Sequence, residues 1–313
     1  MKKETLSYYE QMVQGAVELI ARRLDDALDL ESIAAQACMS PFHFHRIFRG
    51  MTGETPLELT RRLRLERAAW QLANSDRPIT AIAFDAGYEA HEAFTRAFRA
   101  AYATSPSGFR QRRYPRMEIA APCGIHFDPD GAVRAFVPRD SGGESMNVTI
   151  EEMPELRVGA VRHVGPYNQI PNAFVKLGEI VKRAGLQPHN GMTMLAIYHD
   201  DPETTPQDEL RSDAGLTFPT KARMPEGLRE LTLPSGRYAR TTHIGPYEEL
   251  GDAWARFMGE WLPRSAERLA ESPSYEIYRN TPENAEKHEL RTDLYIPLHP
   301  ARAKRVSGPT DPF

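Results

Sequence analysis

The chain has two cysteines in 313 residues, Cys38 and Cys123, too few and too far apart for a disulfide framework or a cysteine-based metal site. No apolar run approaches the ~20 residues that a membrane span requires. The opening MKKETLSYYEQ carries two lysines but no apolar h-region, so it is not expected to be a signal peptide. Together these absences predict a cytoplasmic protein with no membrane partner. No nucleophile elbow, zinc-protease pair or phosphate loop is present, so no catalytic residue, metal ligand or cofactor is assigned, and the chain is not read as an enzyme. His43 and His45 are close together, but no cysteine or carboxylate stands at ligand spacing beside them. Charge of one sign is also lacking: the net charge is −4. The balance is uneven, with 17 Lys and Arg against 14 Asp and Glu in 1–116 and 22 against 29 in 117–313. Only the first part suits a polyanion.

What is present is repetition. HVGPY at 163–167 returns as HIGPY at 243–247, and the offset of 80 holds without a gap around it. Ala173 matches Ala253, Ile197-Tyr198 matches Ile277-Tyr278, and Glu209-Leu210-Arg211 matches Glu289-Leu290-Arg291. An ungapped offset over such a span is an internal repeat. Strand patterns at 148–153, 158–163, 193–199 and 210–218 surround a helical pattern at 168–184. The second copy has strand patterns at 229–233, 238–243, 274–279 and 289–297, with a helix over about 248–263. This predicts an α+β domain of two tandem strand-helix-strand-strand repeats, its helices on one side of an antiparallel sheet. The pentapeptide reads as architectural: a strand ends at the His, Gly-Pro turns, and the Tyr opens the helix.

A second repeat, at offset 50, lies in a helical N-terminal region that begins with a helix over 8–28. Phe44, Ile47, Phe48 and Met51 form an apolar stripe, and Phe94, Ala97, Phe98 and Ala101 repeat it. Each stripe follows a short helix (30–37; 79–86) and a tight turn, which makes a helix-turn-helix twice. Opposite the stripes, Phe42, His45, Arg46 and Arg49 in the first copy and His91, Glu92, Thr95, Arg96 and Arg99 in the second are predicted to point away from the core. Such residues suit base edges and phosphates of double-stranded DNA; the plainer alternative is two solvated helix faces. The expected organisation is multidomain: an all-α double helix-turn-helix domain over 1–114, a Pro- and Gly-rich linker over 115–145 with a short docked strand near 125–127, the α+β domain over 146–300, and a tail, 301–313.

SPFHFHRIFRGMTGETP (40–56) and ITAIAFDAGYEAHEAFTRAFRAAYATSPSGFR (79–110) resemble the DNA-binding domain of AraC/XylS-type transcriptional regulators. The resemblance implies that the two helix-turn-helices enter successive major grooves roughly 34 Å apart. It places Phe42, His45 and Arg46 in the first groove and His91, Glu92, Thr95 and Arg96 in the second, and it makes RNA polymerase a further expected partner. Two departures stand out: Ala90 where the family often has Ser, and Ala103 where it often has Gly.

The two α+β repeats differ at one position of chemical interest. SYEIY (274–278) aligns with MLAIY (194–198), so Glu276 stands where the first copy has Ala196. On a strand, Glu276 and Tyr278 share a face. With Tyr167, Phe174, Tyr198, Tyr247 and Trp254 as walls, a buried acid there would attract a flat cation. The plainer alternative is an exposed edge-strand Glu and a set of core aromatics. RVGAVRHVGPYNQI, YARTTHIGPYEEL, SYEIYRN and ELRTDLYIPL resemble the GyrI-like (gyrase-inhibitor-like) small-molecule-binding family. That resemblance implies that Glu276 sits in the ligand cleft, lined by Tyr278, Tyr167, Tyr247 and Trp254; Tyr198, one of the candidate walls, completes the expected effector set. The effector would be a small hydrophobic or cationic compound, such as an aromatic or organic cation. The chain then reads as an effector-controlled, sequence-specific transcriptional regulator. A hydrolase with Glu276 as general base, or a protein inhibitor, is the alternative reading of the second domain.

Overall fold

The computed structural model describes residues 2–26, 30–36, 39–112, 117–139, 146–186, 192–200, 202 and 205–300. The tail, both ends of the linker, and the predicted helix ends at 28 and 37 lie outside them. Among the described residues no helix is long and apolar enough to cross a membrane.

Among the described residues the N-terminal region has seven helices: α1 (Lys2–Arg22), α2 (Leu30–Gln36), α3 (Pro41–Thr52), α4 (Pro56–Asn74), α5 (Ile79–Asp85), α6 (His91–Tyr102) and α7 (Pro106–Arg112). Local chemistry sets their starts. Ser40 Oγ accepts the His43 amide at 3.3 Å, with Pro41 at the first helical position. Thr55 and Glu58 close a capping box on α4, at 3.1 and 2.8 Å. α2–α3 and α5–α6 are the two helix-turn-helices, and α4 joins them. The α3 stripe (Phe44, Ile47, Phe48, Met51) is buried in one core and Phe94 and Phe98 of α6 in another. α1 begins six residues before its predicted start and ends at Arg22. Asp25 and Asp26 follow, and acids oppose the dipole at a helix C-terminus.

The linker forms no strand at 125–127, yet it is docked. Arg62 of α4 reaches Glu54 twice, at 2.6 and 2.9 Å, and the carbonyl of Ile125 at 2.7 Å. Glu66 accepts the amides of Ile119 and Phe127, at 2.9 and 2.8 Å. The backbone at 119–127 thus bonds to buried side chains of α4 instead of to a neighbouring strand.

Among the described residues the C-terminal region forms one antiparallel sheet of eight strands: β1 (Val148–Met153), β2 (Leu156–Val164), β3 (Met194–Tyr198), β4 (Arg211–Phe218), β5 (Arg229–Leu233), β6 (Gly236–Ile244), β7 (Tyr275–Tyr278) and β8 (Arg291–Pro297). Their order is β1-β6-β8-β7-β3-β4-β2-β5. Exchanging the two repeats turns this order into its own reverse, so the sheet has a pseudo-twofold axis between β3 and β7. The first strand of each repeat is exchanged: β1 pairs with β6, and β5 with β2. At the axis Ala196 lies opposite Glu276.

Each repeat lays its helix on the same face of the sheet. In the first this is α8 (Pro171–Arg183), packed on Val161, Ala196, Ala214 and Leu216. In the second, the single predicted helix is divided into α9 (Leu250–Arg256), a π-helical turn (Phe257–Trp261) and α10 (Leu262–Ser265). The opposite face closes over a separate cluster that includes Leu195, Ile197, Tyr275 and Tyr295. The pentapeptide forms the turn expected of it. Gly165 and Gly245 have φ of 132° and 143°, and Tyr167 and Tyr247 each open a short 3-10 turn. His163 and His243 are bonded to the carbonyls of Pro166 and Pro246, at 3.0 and 3.3 Å, so each histidine holds its own turn.

Candidate functional site

The two sets of predicted DNA-facing residues have different surroundings. On α6, His91, Glu92, Arg96 and Arg99 are exposed and Thr95 is half-buried. On α3 the expected outward face is corrected. Phe42 and His45 are buried, and Arg46 and Arg49 are half-buried. The cause is the second repeat. Its helix lies across α3, and its Trp254, Phe257, Met258 and Leu262 share one continuous core with the N-terminal helices.

That crossing is close because both helices have glycine there. A Cβ on Gly50 would overlap the carbonyl oxygen of Ala255 and stand 2.5 Å from the Cα of Gly259. A Cβ on Gly259 would stand 2.5 Å from the carbonyl carbon of Gly50. Arg49 pairs with Asp252 at 2.8 Å at the rim. At the other end His43 Nε2 lies 2.9 Å from Ser274 Oγ. Burial, with the charge of Arg46 nearby, pushes the pKa of His43 down to about 4, so its imidazole is neutral at pH 7.

The six predicted effector residues converge at the sheet axis. Glu276 is 2% exposed, with one carboxylate oxygen accepting Trp254 Nε1 at 2.7 Å and the other accepting Tyr278 Oη at 2.8 Å. Tyr278 and its repeat partner Tyr198 bring their hydroxyls to 3.2 Å. Tyr167 stands edge-on to Tyr198 and Tyr247 edge-on to Tyr278, at 4.8 and 5.4 Å between centroids. Phe174, the repeat partner of Trp254, meets Tyr278 at 5.6 Å. Burial raises the pKa of Glu276 above the ordinary carboxylate value, opposed by the bonds from Trp254 and Tyr278 and by the charge of Arg46. The Arg46 guanidinium lies 4.3 Å from the ring centroid of Phe42 and 5.3 Å from that of Trp254. A cavity of about 530 Å³ opens between the two regions, lined by Tyr8, Phe42, His43, Tyr198, Arg268 and Ser274 among others. It touches the constellation through Tyr198; Glu276 is not on its wall.

Comparison with known proteins agrees with this division. Residues 146–299 match the GyrI-like small molecule binding domain, and 33–112 match a helix-turn-helix domain. The DNA gyrase inhibitor of Erwinia billingiae (strain Eb661) is 32% identical over 162 residues, 50% of this chain and 99% of that protein. The chain belongs to the GyrI-like family. Its N-terminal third is of the AraC type. The regulatory protein SoxS of Salmonella typhimurium (strain LT2) is 35% identical over 104 residues, 33% of this chain and 97% of that protein. The probable transcriptional regulator YgiV of Escherichia coli (strain K12) is 27% identical over 157 residues, 49% of this chain and 97% of that protein. The chain therefore combines an AraC-type DNA-binding region with a GyrI-like small-molecule-binding region, the make-up of an effector-controlled transcriptional regulator.

Sequence reasoning missed the residues that join the GyrI-like region to α3: His43, Gly50, Asp252, Gly259 and Ser274. One signal was available. At offset 50, Gly50 replaces Ala100 and Phe42 replaces Glu92. A glycine inside a helix costs roughly 0.5–1 kcal/mol relative to alanine, so it points to a close neighbour.

Proposed function

We propose that the protein reads a specific duplex with α3 and α6 and is controlled by a flat organic cation held at Glu276. The observation that carries this reading is the buried Glu276 carboxylate at the sheet axis, surrounded by aromatic rings from both repeats. A carboxylate in low dielectric is a strong counter-charge for a cation, and ring faces add cation–π attraction of ~2 kcal/mol when desolvated. Both of its oxygens are engaged by ring donors. That arrangement suits holding charge more than attacking a bond, and it supports binding over turnover. On the DNA side, His91, Arg96 and Arg99 form an exposed face that runs from the first to the last turn of α6. Phe42, His45, Arg46 and Arg49 supply the corresponding face of α3 once it is uncovered.

The test is fluorescence anisotropy of the full chain on DNA from upstream of its own gene, near physiological salt, against a scrambled duplex. Arg96→Ala should weaken specific binding by ~1–3 kcal/mol and reduce discrimination against the scrambled sequence. Equal affinity for both duplexes, unchanged in Arg96→Ala and matched by an empty selection from random DNA, would count against a promoter-reading role.

A further inference from the structure

Arg46 belongs to two places at once. It is on the DNA-reading face of α3, and it also lies on the aromatic wall beside Glu276. Its guanidinium rests against Phe42 and Trp254, at 4.3 and 5.3 Å from their ring centroids, and Trp254 donates directly to Glu276 at 2.7 Å. The charge of Arg46 acts on both Glu276 and Tyr198.

We infer that the GyrI-like region and DNA compete for the same face of α3, and that Arg46 is the internal substitute for a cationic effector in the cleft. This rests on the reading of Glu276 as the counter-charge of the effector. Three observations carry it. The major groove, about 12 Å wide, admits a helix, not a helix with a second one across its reading face. The crossing is built for closeness at Gly50 and Gly259, where either Cβ would strike the other backbone. Finally, Glu276 is 2% exposed, and the Trp254 ring that donates to it lies against Arg46 and Phe42, so a cation takes the place on Trp254 only after Arg46 has moved. A cation that replaces Arg46 on Trp254 therefore binds the form in which α3 is free. By reciprocity, DNA bound to α3 raises the affinity of the cleft for that cation. α6, whose His91, Arg96 and Arg99 are exposed with α3 covered, keeps a DNA contact in both forms. If the covered form dominates, the apparent DNA affinity is the intrinsic one multiplied by the small uncovered fraction.

The test uses the full chain and two variants outside the DNA-reading residues. Gly259→Val places a side chain against the Gly50 backbone, and Asp252→Lys turns the Arg49 pair into a repulsion. Amide hydrogen exchange is measured over 41–52, with 91–102 as internal reference. Both variants should speed exchange over 41–52 alone. Gly259→Val should also tighten binding to upstream DNA and to a scrambled duplex by about tenfold, and Asp252→Lys by less. Titration with benzamidine, an aryl cation that copies the guanidinium of Arg46, gives the second arm. Arg46→Ala should bind it about tenfold more tightly than wild type, because the internal competitor is gone. Folded variants with wild-type exchange and DNA affinity overturn the inference, as does equal benzamidine affinity in wild type and Arg46→Ala. If neither protein binds benzamidine while both variants tighten DNA binding, the Glu276 reading fails and the competition for α3 stands. If Gly259→Val does not fold by circular dichroism, Asp252→Lys decides.

Discussion

Position by position, α3 and α6 set Phe42 against Glu92, Arg46 against Arg96, Arg49 against Arg99 and Gly50 against Ala100. The arginines are common to both; the residues around them are not. In α6 they stand on an open polar face, with Glu92 and Ala100 in solvent. In α3 an aromatic ring and a missing side chain convert the same face into a helix-packing surface for the second α+β repeat. The comparison separates two demands on one module. Shared arginines mark what a recognition helix needs, and the differences at 42 and 50 mark what the neighbouring domain needs. The α+β region shows the same logic at its axis, where Ala196 and Glu276 occupy equivalent places and only one carries charge.

The largest break in this comparison is Phe42→Ala set against Glu92→Ala. Phe42 is buried among Trp254, His43 and the Arg46 guanidinium, so truncation leaves a cavity at the domain junction. The expected cost is ~3 kcal/mol or more. Glu92→Ala removes an exposed side chain and should stay within about 0.5 kcal/mol. Urea denaturation of both variants checks this. Similar losses would mean that the α3 contact contributes nothing to stability.

Acid sharpens the same contrast. His43 has its pKa held down to about 4 in the folded protein, against 6.5 for an ordinary histidine. Between these values the unfolded chain binds the proton and the native site resists it. The His43 contribution is therefore present above pH 6.5 and lost as pH falls toward 4, on the order of 3 kcal/mol in all. Because His43 bonds across to Ser274, the loss should show first as lower amide protection over 41–52, measured against the intrinsic exchange rate at each pH, while 91–102, which has Ala93 at the equivalent place, keeps its protection. His43→Gln should flatten this pH dependence, and an unchanged pH profile in that variant would assign the loss to other groups.

Much of the architecture was legible in the residues themselves. Both repeats and the eight strands of the sheet followed from periodicity and offset, whereas Tyr167, Tyr198, Tyr247 and Trp254 were only candidate walls around Glu276 and Tyr278 until the GyrI-like resemblance implied a cleft there. The outward face of α3 did not follow, because a helix with apolar residues on two sides looks amphipathic to any count that assumes one neighbour. The docked linker was also hidden. Its backbone bonds go to Arg62 and Glu66 of α4 and to Gln14 of α1, which sit on other elements and leave no pattern within 117–139. The π-helical turn was equally silent, since 257–261 carries the residues of an ordinary helix and the register change becomes meaningful only where Gly259 meets Gly50.

The smallest expected effect lies at the helix ends. α3 ends on Gly53, with φ of 80°; α6 ends on Ala103, held in the same left-handed region at φ of 55°. For alanine that conformation costs roughly 1–2 kcal/mol, and a glycine there would regain part of it while giving the unfolded chain more freedom. Ala103→Gly should therefore stabilise by about 0.5 kcal/mol, read as a higher urea midpoint with unchanged slope. The reverse change is not its mirror image. A Cβ on Gly53 would lie 2.8 Å from the Pro122 ring, because the linker packs over the end of α3 and the Arg139 amide bonds to the Met51 carbonyl at 2.7 Å. Gly53→Ala should thus cost more than the conformational term alone, about 2 kcal/mol or above. Equal and opposite changes at the two sites would show that only the backbone angle matters, and that the end of α3 is no more enclosed than that of α6.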